Sequence, residues 1–176
     1  MLKKLSYIEE RLRSGAKLEE VVEELSWRDF EEICAEILEV NSYHPVLRGF
    51  RFKFGRSRFE IDVVAVREWL VVCVDCKHWS IRPGRTSALK RAADKHYERV
   101  KALASCLSSS PPAELKIAYQ KATLVPVVVT LFDVPSALSP GGVAIVPVFK
   151  FNSFAEELIG FYDQVAHITT AVMKLP

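Results

Sequence analysis

The chain has 176 residues, of which 49% are hydrophobic and 26% charged, and its net charge is +2. That profile excludes a disordered or fibrous protein and fits one globular domain with a sizeable core. No apolar run reaches the length of a membrane span and the N-terminus lacks a signal-peptide pattern, so the expected location is the cytoplasm, away from membranes.

In chain order, Leu2 to Arg13 reads as a short helix ended by Ser14-Gly15, and Lys17 to Leu25 as a second. Ser26 is a suitable N-cap for a third helix, with Trp27, Phe30, Ile33, Cys34, Ile37 and Leu38 at helical spacing before Asn41-Ser42. Tyr43 to Phe54 is strand-like, and Gly55-Arg56-Ser57 turns the chain into a second strand, Arg58 to Val66. A third strand follows from Trp69 and ends in Asp75-Cys76-Lys77. Pro83-Gly84 lies in a loop before a basic helix from about Ser87 to Leu107. Val125 to Leu131 is an apolar, β-branched run suited to a strand buried on both faces. Val143 to Phe149 reads as a further strand, with Pro147 placing it at an edge or terminus, and Ser153 as the cap of a last helix from Phe154 to about His167. This order implies a three-layer α/β or α+β domain around a mixed sheet.

The chemistry concentrates on the second and third strands. Alternation sets Glu60, Asp62 and Val64 on one side of the second, and Cys73, Asp75 and Lys77 on one side of the third. Residues directly opposite in an antiparallel pair share a face, so Asp62 joins Asp75 and Lys77 only when it lies opposite an odd-numbered residue. A two-residue turn at Arg67-Glu68 sets it opposite Cys73, and a four-residue turn sets it opposite Asp75. Two carboxylates suit a hard divalent cation, and a neighbouring ammonium stabilises developing anionic charge, as hydrolysis of a phosphodiester requires.

Charge is uneven along the chain. Acids dominate the first forty residues, whereas Asn41 to Arg58 contains none and carries Arg48, Arg51, Lys53, Arg56 and Arg58. After the lysine come Arg82, Arg85, Lys90, Arg91, Lys95, Arg99 and Lys101. Basic segments on both sides of an acidic site fit a polyanionic substrate.

With Phe30-Glu31 on the helix, Ile61-Asp62-Val63-Val64-Ala65, Asp75-Cys76-Lys77-His78-Trp79, Val127-Val128-Val129-Thr130 and Val146-Pro147-Val148-Phe149, the chain resembles the PD-(D/E)xK nuclease superfamily. Mrr-type restriction endonucleases and archaeal Holliday-junction resolvases are the most similar branches, over roughly residues 27 to 160. The resemblance implies a restriction-endonuclease-like three-layer fold, a mixed central sheet flanked by helices, over residues 27–176, with residues 1–26 as an extra helical segment. It implies a Mg²⁺-dependent DNA endonuclease, with Mn²⁺ as substitute, acting in restriction or repair on DNA that includes branched or modified forms, with a homodimer as the assembly of related resolvases. Glu31, Asp62, Asp75 and Lys77 become the catalytic set, and the Cys76 backbone carbonyl joins Asp62, Asp75 and Glu31 around the metal. Arg48, Arg51, Lys53, Arg56, Arg58, Arg82, Arg85, Lys90, Arg91 and Lys95 become DNA contacts. Glu32 competes with Glu31 but shares a stripe with Glu36 and Glu39 that reads as exposed. The chain departs from the usual pattern at Asp75, where Glu or Gln is more frequent, and at Glu60, where Gly is.

Two other readings stand beside this one: a catalytically inactive DNA-binding or scaffold protein that kept the fold, and a nuclease directed at RNA. Cys73 and Cys76 match a CxxC string, but positions three apart on a strand face opposite sides, so, like Cys34 and Cys106, they read as buried reduced thiols. His78, His96 and the aromatic stripe Phe50, Phe52 and Phe54 are explained most simply by packing.

Overall fold

A computed structural model describes residues 3–78, 85–134 and 136–173. Three helices come first: α1 (Lys3–Arg13), α2 (Leu18–Glu23) and α3 (Trp27–Val40). Ser26 caps α3 through a full capping box, its hydroxyl accepting from the Asp29 amide while the Asp29 carboxylate accepts from the Ser26 amide. Strands β1 (Val46–Phe54), β2 (Ser57–Arg67) and β3 (Leu70–Lys77) form an antiparallel meander. Helix α4 (Arg85–Ser109) then crosses over to β4 (Lys121–Thr130), which runs parallel to β3. Next come β5 (Ala144–Pro147), α5 (Val148–Glu157), two 3₁₀ turns and β6 (Ile168–Ala171).

The sheet order is β1-β2-β3-β4-β5, and the outer edge of β4 is shared: β5 pairs parallel with Val127 to Thr130, and β6 antiparallel with Lys121 to Leu124. Helices α3 and α5 cover one face, where Phe30, Cys34, Leu38, Phe151 and Leu158 pack on Val63, Val74, Cys76 and Val127. Helix α4 covers the other, where Val100, Leu103 and Leu107 pack on Val64, Val71, Cys73 and Leu124. The fold is thus the three-layer α/β sandwich with a mixed sheet that the chain order implies. No helix among the described residues is long and apolar enough to cross a membrane.

Several expected boundaries move. The tight turn after β2 is Glu68-Trp69, between the pair Arg67↔Leu70, rather than Arg67-Glu68. Glu68 takes the left-handed conformation there at φ 56. Strand β4 begins four residues earlier than its apolar run. The expected strand Val143 to Phe149 is cut short because α5 starts at Val148 behind Pro147, whose fixed φ of −60 suits a helix entry. Helix α5 ends at Glu157, and the segment expected as its tail, up to His167, instead forms two 3₁₀ turns and the lead into β6. Glu36 is not on an exposed stripe: it is 7% exposed and accepts the Lys4 and Leu5 amides at 3.2 and 2.9 Å, satisfying the free N–H groups that open α1.

Candidate active site

The position of Asp62 follows from an interruption in the β1–β2 ladder. Pairing runs from Val46↔Ala65 to Arg48↔Val63, skips Gly49 and Asp62, and resumes at Phe50↔Ile61. Gly49 stands opposite Asp62 with φ 55, a conformation open chiefly to glycine. Across this point the side chains change phase. Val64 and Val66 pack toward α4 and Val63 and Ala65 toward α3, yet Ile61 packs toward α4 with Phe50 and Phe52. The simple alternation of Glu60, Asp62 and Val64 therefore fails, because a left-handed residue shifts the phase of both strands at once. Asp62 sits at the shift, half-buried, and its Oδ2 accepts the Cys76 amide at 2.7 Å.

Along β2 and β3 the register Val63↔Val74, continued by one step, carries Asp62 to the level of Asp75. Asp75 is 2% exposed. Its Oδ2 meets the Lys77 ammonium at 2.7 Å and its Oδ1 accepts from Arg99 Nη1 at 3.0 Å. Oδ2 makes no well-aligned hydrogen bond beyond that ion pair, and so keeps lone-pair capacity. Arg99 is the residue that sequence reasoning missed. Its signal was present: a buried strand carboxylate needs a cation, and Arg99 lies one turn beyond His96 on the inward stripe of α4 that holds Ala93 and Val100. His96 is fully buried and donates Nε2–H to the Cys73 carbonyl at 2.8 Å. Burial holds its pKa below the usual imidazole value, opposed in part by Asp75.

Helix α3 contributes Glu31 and Trp27. The Trp27 indole N–H donates to Glu31 Oε1, and the Lys77 ammonium stands over the Trp27 ring at 6.0 Å. Glu32 turns elsewhere, toward Arg48 at 3.8 Å. His78 packs edge-on against Phe30 and its Nε2 donates to the Leu25 carbonyl at 2.6 Å. Cys73 and Cys76 lie in the two different core clusters, one on each side of the sheet, and both are free thiols.

These charges meet in the titration of Asp62. Burial lifts its pKa to about 6, the Cys76 amide opposes this, Asp75 and Glu31 push it further up, and Lys77 pulls it down. A carboxyl so placed gains from a cation brought beside it. Among the described residues, no group of three or more His, Cys, Asp or Glu side chains is gathered closely enough to cage a metal, so Glu31, Asp62 and Asp75 do not form a ready three-carboxylate site. The donor set fits a hard ion such as Mg²⁺, which is held by one or two carboxylates and completes its shell with water and phosphate oxygen. Asp62 and the underused Oδ2 of Asp75 would be those donors.

Of the expected DNA contacts, Lys53, Arg56, Arg58, Lys90, Arg91 and Lys95 are exposed. Arg48 pairs with Glu32, and Arg51 pairs with Glu60 at 2.8 Å. Arg82 lies outside the described residues, and Arg85 opens α4. Phe50 and Phe52 are buried, as a packing stripe requires, while Phe54 at the hairpin tip is exposed.

A family model described as a nuclease-related domain matches residues 26–129, more than half of the chain and the whole span from Ser26 to β4. An uncharacterised protein of Archaeoglobus fulgidus is 33% identical over 134 residues, which are 76% of this chain and 92% of that protein. A crystal structure of a Vibrio cholerae protein superposes with a TM-score of 0.43 and 12% identity, over 78% of this chain and 34% of that one. The chain thus spans about a third of the length of that second protein.

Proposed function

The chain belongs to the nuclease-related domain family, of the PD-(D/E)xK-like nuclease fold, and from that premise we propose that it is a Mg²⁺-dependent DNA endonuclease hydrolysing phosphodiester bonds. The observation that carries this reading is the meeting of Asp62, Asp75 and Lys77 just past the last β2–β3 pair, Val63↔Val74, with Asp62 tied to Cys76 and Asp75 to Lys77.

Asp62, Asp75 and the Cys76 carbonyl would hold the cation, with Glu31 acting through a bound water, and the ion when bound supplies Lewis-acid stabilisation of phosphate charge and a more acidic water. The remaining work belongs to the protein. With Oδ2 occupied by the Cys76 amide, Oδ1 is the oxygen of Asp62 left for a cation. Arg99 grips Asp75 Oδ1, fixing the plane of that carboxylate and aiming Oδ2 at Lys77. The Lys77 ammonium is mostly shielded from solvent, so its charge acts on a phosphate in a medium of low polarity, where it counts for more than in water. The exposed cations of the β1–β2 hairpin and α4 supply affinity for the phosphate backbone without reading sequence.

Plasmid and branched DNA incubated with Mg²⁺ or Mn²⁺ tests the reading. Wild type should cleave, Lys77→Ala should lose roughly 10²–10³-fold in rate, and chelation should abolish turnover. Equal rates for wild type and Lys77→Ala would overturn the assignment, and stronger competition by RNA than by DNA would move the substrate to RNA. One observation favours a second reading, a non-catalytic nucleic-acid-binding protein: both oxygens of Asp75 are already engaged by cations. Such a protein binds DNA but shows no Mn²⁺ binding that Asp62→Asn removes.

A further inference from the structure

Trp27 is 44% exposed, although tryptophan is among the residues most buried on average. Among the described residues it joins none of the three apolar clusters, so packing there does not explain it. Yet the ring is held from two directions by groups of the site, its N–H on Glu31 and the Lys77 ammonium over its face. It is an oriented, part-exposed aromatic surface beside Glu31 and Lys77, on the first turn of a helix fixed by the Ser26–Asp29 capping box.

We infer that Trp27 is a stacking platform for an unpaired nucleobase beside the phosphate that Lys77 engages. The inference rests on the nuclease reading only for where that phosphate lies. Base faces inside a duplex are covered by their neighbours, whereas an indole offers any exposed base a π-surface irrespective of sequence. The platform therefore selects single-stranded or unpaired DNA, at a flap, a junction or a frayed end, over uninterrupted duplex. The site takes a nucleotide by two handles, a cation for its phosphate and a ring for its base.

The test is equilibrium binding in EDTA, which separates stacking from turnover. Fluorescence anisotropy of a labelled single-stranded oligonucleotide and of its blunt duplex is compared for wild type, Trp27→Phe and Trp27→Ala. Wild type should prefer the single strand. Trp27→Ala should weaken single-strand binding about tenfold while leaving duplex binding within twofold, and Trp27→Phe should keep most of the affinity. Wild-type protein with an oligonucleotide scanned by a single abasic site provides a second measurement that does not depend on any variant folding, and one position should reproduce the loss. Single-strand binding unchanged by Trp27→Ala, or loss shared equally by both DNAs, overturns the inference. Trp27-dependent binding without cleavage in Mg²⁺ would keep the platform and remove the nuclease activity; cleavage with no effect of Trp27 on binding would do the reverse.

Discussion

Asp62 is held where its charge is unwelcome, and that makes it measurable. Its folded pKa, about 6, lies above the unfolded value of about 3.9. Between those values the folded state binds the proton more tightly than the unfolded chain does, so stability is greatest at low pH and falls as pH rises through that window. Above about 6 both states are ionised and the whole penalty, roughly 2–3 kcal/mol, is carried. His96 gives the opposite slope: its lowered pKa keeps the buried ring neutral, so stability is lost as pH falls below about 6.5. Asp62→Asn preserves an acceptor for the Cys76 amide but removes the charge. In EDTA it should be more stable than wild type by about 1–2 kcal/mol at pH 7.5 and by about a third of that at pH 4.5, with nuclease activity lost. Urea denaturation at the two pH values reads this directly, and a stability difference independent of pH would show that Asp62 is not strained by burial.

Local chemistry made α3 and the β1–β2–β3 meander legible, because the Ser26–Asp29 box, the Gly55 hairpin turn and period-2 runs all act over a few residues. The turn at Glu68-Trp69 gives a register that, continued past its last pair Val63↔Val74, brings Asp62 level with Asp75, although the phase shift means that parity alone does not set its face. What stayed hidden depends on tertiary contacts. Arg99 lies 24 residues from the carboxylate it grips, and β6 becomes a strand because the outer edge of β4 is free to accept it. The phase shift at Gly49 was equally invisible, since a glycine within a strand run signals a bulge or bend without saying which side chains it re-aims. A Cβ at Gly49 would meet nothing within 4 Å, so a substitution there is opposed by backbone conformation rather than by crowding. Gly49→Ala should therefore cost about 1 kcal/mol, Gly49→Val more, and Gly49→Asn less, because asparagine tolerates a left-handed backbone. If the shift also sets Asp62, nuclease activity should fall in the same order and by more than the stability loss accounts for. Equal activity in all three variants, with stability ranked as expected, would separate Gly49 from the site.

A net charge of +2 is too small to drive binding to a polyanion by itself, so any affinity must come from where the charges lie. The hairpin face leading away from Asp62 carries Arg51, Lys53 and Arg58, but the three are not equivalent. Arg51 is neutralised by Glu60 at 2.8 Å, whereas Lys53 and Arg58 face no acid within ion-pair distance among the described residues. Lys90, Arg91 and Lys95 are likewise uncompensated and exposed on α4, behind the strand end that holds Asp75. Each uncompensated cation that meets a phosphate releases a counterion and adds roughly 0.7 to the salt slope of single-strand binding, or about 0.9 for duplex. Lys53→Ala with Arg58→Ala should then lower the slope of log K against log salt by about 1.4 on single-stranded DNA, while Arg51→Ala should change it much less. Lys90→Ala with Lys95→Ala tests α4 in the same way. A slope unchanged by the hairpin pair but reduced by the α4 pair would move the path of the substrate to the helix side of the sheet, and a slope lowered as much by Arg51→Ala as by Lys53→Ala would show that the Arg51–Glu60 pair opens when DNA binds.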